Sequence, residues 1–131
     1  MIHDTNASRV RTAPAALLTL VLVAGTAVDA HHGWEGYRTE EFEISGVSES
    51  PLSLAGPHAS LKLRAADGQV WNVVLAPPPR TERAGLKKGM IPGGAKVTAY
   101  GHRHKDPKTF EIKTERLRWN DRLFNVYPDR T

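Results

Sequence analysis

His31 and His32 stand side by side after an apolar leader and are followed by Gly33 and Trp34. A cut after Ala30 gives His31 a free α-amine next to its own imidazole. An amine with a pKa near 7.7–8.0 and an imidazole near 6.5 both shed protons around neutral pH. Together they chelate a borderline divalent ion, and nitrogen ligands in a tetragonal plane suit Cu(II) best. A cut after Asp29 instead starts the chain at Ala30 and puts a histidine at its third position. That is another amine–amide–imidazole chelate. The competing reading is a free terminus whose histidines do nothing.

The other candidate ligands lie further along the chain. His102 and His104 alternate on a predicted strand, so they project from one face, opposite to Val97 and Ala99. Two imidazoles on one face can share an ion. They can equally be part of a solvated basic strand end beside Arg103, Lys105 and Lys108. His58 follows Pro57 at the mouth of another strand, where it either caps a backbone group or faces the N-terminal arm as a further ligand.

The leader decides whether the chelate exists. Arg9 and Arg11 precede an apolar run from Ala13 to Val28, and Val28-Asp29-Ala30 supplies modest residues before a cut. This is the three-part form of a secretory signal. The run is shorter than the roughly 20 residues that span a bilayer, so the expectation is removal, with export to the periplasm and no stable membrane anchor afterwards. An uncleaved anchor is the alternative, and it would abolish the amine. Without cysteine the chain has no disulfide, no thiolate site and no lipidated cysteine.

Residues 1–30 are therefore read as signal, 31–41 as an extended arm, and 42–131 as one domain. Arg9 and Arg11 balance Asp4 and Asp29, so the chain from His31 keeps the formal charge of +4. In an exported protein a mild excess of this kind favours solubility and attraction to anionic surfaces.

The scaffold must hold these histidines, and its pattern is β-rich. Phe42 to Ser50 reads as a first strand with a glycine bulge at Gly46, because Phe42 and Ile44 share a face that Val47 leaves. Ala59, Leu61, Leu63 and Ala65 alternate with polar residues, Asp67-Gly68 marks a hairpin turn, and Trp71, Val73 and Leu75 form the partner strand. Pro77 to Pro79 end it. Arg80 to Lys88 predicts a short helix, weakened by Gly85. Lys96 to His104 alternates again. The next strand opens with Phe110 and Ile112 and needs a bulge near Thr114 to bring Leu117 and Trp119 inward. Asn120-Asp121 turns the chain into a final short strand, Leu123 to Tyr127. A helix between the third and fourth strands predicts an all-β fold, an OB-like five-stranded Greek-key barrel. A small sandwich or open meander is the alternative.

No Ser-His-Asp set, phosphate loop, His-Glu-x-x-His or paired carboxylates can be recognised, so no enzyme is expected. Trp71 and Trp119 have inward parity, which leaves few aromatics for stacking nucleic-acid bases, and export argues against such a partner. The expected partners are a metal ion and, on the alternative reading, another envelope component held by a non-catalytic binding module with incidental histidines.

The order of short motifs resembles a family of small exported bacterial proteins, domain-of-unknown-function family 6152. The residues that carry the resemblance are His31-His32-Gly33, Ser45-Gly46-Val47, Pro57-His58-Ala59, Asp67-Gly68, Leu86 to Gly89, and Val97 to Gly101. This chain has Gly56 where members usually carry Asn. The resemblance implies that His31, His32 and His58 act together, and it brings no activity. The combined expectation is a monomeric or weakly associating copper-binding protein using His31, with His32 or His58, and with His102 and His104 as auxiliary ligands.

Overall fold

A computed structural model describes residues 33–130. The strands are β1 (Phe42–Ser48), β2 (Ser60–Ala65), β3 (Val70–Val74), β4 (Lys96–Arg103), β5 (Glu111–Trp119) and β6 (Arg122–Asn125). Among the described residues one short α-helix, α1 (Pro78–Arg83), lies between β3 and β4, and a 3-10 turn (Pro128–Arg130) follows β6. β1 pairs with both β2 and β4, β2 with β3, and β4 with β5, all antiparallel. β3 then pairs in parallel with β5, Val73 opposite Ile112, which closes the ring. This is the predicted OB-like barrel. β6 adds a hairpin arm to β5.

The alternating residues fill the barrel. Leu61, Leu63, Val73, Leu75, Ala99, Ile112 and Leu117 are buried from the strands, while Leu86 and Ile91 enter from the loop after α1 and Phe124 and Val126 from the chain end. Between the strands, the Asp67-Gly68 turn forms with Gly68 at φ 86°. Asn120 and Asp121 both adopt positive φ, 53° and 58°, as a two-residue turn matched to the strand twist requires.

Two local expectations are corrected. The helix starts at Pro78, two residues before Arg80, because proline fits the first turn of a helix, where no amide partner is needed. It ends before Gly85, at φ 105°, rather than reaching Lys88. Gly46 is no bulge: β1 stays in regular register with β4 through it, and Val47 faces solvent. Gly46 is needed for a close crossing instead, since a Cβ there would lie 2.2 Å from the Arg64 carbonyl oxygen. The bulge expected near Thr114 is present, with Tyr100 opposite Arg116 and Gly101 opposite Thr114, so Glu115 is left over. Among the described residues no helix is long and apolar enough to cross a membrane.

Candidate functional site

The stretch after His32 packs against the barrel wall. Tyr37 bridges to His104 at the end of β4. The Lys105 amide donates to the Gly36 carbonyl at 2.8 Å, and the Arg38 amide to the Arg103 carbonyl at 2.9 Å. Backbone pairing therefore fixes the arm along β4. Its side chains then dock on the outward residues of β4 and β5.

Trp34 is the main contact. Its ring meets His102 edge-on at 5.7 Å and Tyr127 at 5.1 Å. The Arg130 guanidinium stacks on it at 3.9 Å, and Lys113 Nζ lies 5.5 Å from its centre. Cations over an indole face are attracted by its quadrupole. Tyr37 donates its hydroxyl to the Glu111 carboxylate, which also accepts from Asn72 Nδ2 at 3.0 Å. Burial, then this bond to a carboxylate, pushes the Tyr37 phenol well above its ordinary range. Burial raises Tyr127 as well, partly offset by Arg80 and Arg130. Burial lowers the Lys113 ammonium, and Glu111 partly compensates.

His102 lies beneath this layer. Its Nε2 is 3.0 Å from Glu115 Oε1, and Arg130 Nε donates to the same oxygen at 3.1 Å. The Glu115 side chain is only 5% exposed. In neutral His102 the proton therefore sits on Nε2, directed at the carboxylate. Nδ1 keeps its lone pair, and that atom is buried without a hydrogen-bond partner. A carboxylate that fixes the tautomer and leaves the other nitrogen without a partner is how metal-ligating histidines are oriented.

His58 shows the same logic with a backbone partner. Its Nδ1 lies 3.1 Å from the Leu75 carbonyl oxygen, which can only accept. The proton is on Nδ1 and the Nε2 lone pair is open. The bond also caps a backbone group at the strand mouth. His58 has no ring or polar contact with the arm among the described residues. His104 differs: its Nδ1 accepts the Asp106 amide at 3.1 Å, so neutral His104 carries its proton on Nε2 and offers no free lone pair.

The structure thus separates the histidines that sequence grouped. His102 and His104 do project on one side, but each has its own partner. Among the described residues no three His, Cys, Asp or Glu side chains cluster closely enough to hold a metal. His31 and His32 lie outside the described residues. Sequence reasoning missed Glu115, because only the bulge on β5 leaves it without a partner on β4; it missed Arg130 because nothing local links the chain end to Trp34. Trp71 is buried as expected, whereas Trp119 is only half-buried.

Together these features define a small OB-like barrel with a docked N-terminal arm and a polar, histidine-bearing wall beneath it. The chain belongs to the Family of unknown function (DUF6152), which it matches over residues 17–113. The match covers all the candidate histidines and stops before Glu115, Tyr127 and Arg130. No curated protein matches the chain.

Proposed function

We propose that the protein is exported and binds copper through the amine and imidazole of His31, completed by an imidazole from the barrel wall. Its role is to bind, buffer or deliver the ion in the periplasm, without turnover. One observation carries the choice of wall residue. His102 is held by Glu115, has an unpartnered Nδ1, and touches Trp34, only three residues after His31. A chain spans at most about 3.6 Å per residue, so the short link from Trp34 limits how far His31 can lie from His102, which supports this pairing. His58, with its open Nε2, is the second wall residue on this reading, and His32 the second on the arm. The lone pair of His104 is occupied, which makes it the weakest of the set.

The test is a Cu(II) titration of protein processed by its native host, with the N-terminus read by mass spectrometry. His31→Ala and His102→Leu are each expected to weaken binding at least about tenfold, whereas His104→Leu leaves it within about twofold. Equal, weak affinity in the parent and in His31→Ala overturns the proposal. So does a chain that still carries Met1.

A further inference from the structure

A second concave site lies away from the histidines, where β1, the end of β2, the start of β4 and the end of β5 meet the Asn120-Asp121 turn. The groove encloses about 720 Å³, within the range of roughly 300–1,000 Å³ typical of small-molecule sites. Strand register fixes what lines it. Ala65, Gly46, Val97 and Trp119 stand side by side on four adjacent strands.

The neighbouring rows have the opposite parity. Arg64, Val47 and Lys96 form one, and Ser45, Thr98 and Arg118 the other. Val47 is 44% exposed, an apolar side chain on an otherwise polar face. The Arg64 guanidinium is already engaged by Glu49 and by the Gly68 carbonyl. Lys96 and Arg118 have no ion-pair partner among the described residues. Arg118 faces Thr98 directly, so Lys96 is its diagonal neighbour on the same face. Such neighbours are about 7–8 Å apart, which lets two long cationic side chains converge on one anionic group. Asp121, also in the lining, disfavours ligands with several negative charges.

We propose that this groove binds a small monoanionic amphiphile, its apolar body along Val47 and the aliphatic stems of Lys96 and Arg118 and its carboxylate between the two cationic ends. This site is independent of the metal. An alkyl acid derived from lipid and an aryl acid share the required chemistry, and the probes distinguish them.

Calorimetric titration of the purified protein should use decanoate, 2-naphthoate, decyltrimethylammonium and acetate. One-to-one binding of decanoate alone assigns an alkyl acid, and of 2-naphthoate alone an aryl acid; either supports the site. The double variant Lys96→Glu/Arg118→Glu should weaken the carboxylate that binds by about tenfold. Val47→Asp should do likewise, and both variants should keep the parent circular dichroism, since all three positions face solvent or the groove. The proposal is overturned if neither carboxylate binds at millimolar concentration, if decyltrimethylammonium binds as well as decanoate, if acetate alone binds equally, or if both variants bind unchanged.

Discussion

The Nε2 atom of His102 lies 3.0 Å from Oε1 of Glu115, on a carboxylate almost sealed from solvent. The contact exists because β5 carries one residue more than β4 at this point, so Glu115 has no partner on β4, and its side chain turns toward the wall that the arm covers. A bulge re-aims a side chain in just this way.

Glu115→Ala should therefore affect metal binding more than folding. It removes the group that sets the His102 tautomer and frees Arg130 from one partner. Loss of such an orienting carboxylate weakens metal affinity by about 10–100-fold. Parallel Cu(II) titrations of Glu115→Ala and Glu115→Gln check this. The glutamine carbonyl still accepts from Nε2, so the glutamine variant is expected to retain most of the affinity.

Tyr37 predicts an alkaline limit. Its folded-state pKa is raised, so the neutral phenol is favoured in the fold. That stabilisation is complete below the ordinary tyrosine value near 10 and is lost as pH rises above it. Thermal melts between pH 8 and 11 should show the parent losing stability faster than Tyr37→Phe. Tyr127 titrates in the same direction and will leave a residual slope in the variant.

Lys113 has the opposite sign. Burial lowers its pKa, so the charged form is penalised in the fold wherever lysine is protonated in the unfolded chain. Stability gained from relieving this penalty grows as pH rises toward the unfolded value near 10.4. Lys113→Met should thus raise stability at pH 7, on the order of 1 kcal/mol, and the gain should shrink above pH 10. Chemical denaturation at the two pH values measures it; destabilisation at pH 7 would mean that the stacking on Trp34 and Tyr127 outweighs desolvation.

The barrel was legible in sequence because its signals are local. Alternation over Ala59 to Ala65 and Lys96 to His104, the Asp67-Gly68 turn and the interposed helix need no knowledge of partners. The misread positions depend on partners. Val47 looked misplaced and suggested a bulge, whereas it faces the groove and Gly46 answers to the Arg64 backbone. In the same way, spacing put His102 and His104 together, but only the structure shows that a carboxylate thirteen residues away holds one and the Asp106 turn amide the other.

Gly101 provides the sharpest test of the barrel itself. It pairs with Phe42 on one side and Thr114 on the other, beside the bulge. A Cβ at this position would lie 1.9 Å from the Lys113 carbonyl oxygen. That atom belongs to a paired strand and cannot swing aside like a side-chain tip. Gly101→Ala should cost about 3 kcal/mol or more, at the upper end for overpacking, and should disturb the bulge that positions Glu115. Gly93, whose nearest neighbour to an added Cβ is 3.9 Å away, serves as the control, with Gly93→Ala expected within about 0.5 kcal/mol of the parent. Urea titration of the two variants reads the difference directly. Equal midpoints would show that β4 and β5 do not cross this closely, and the Glu115 placement would fall with them.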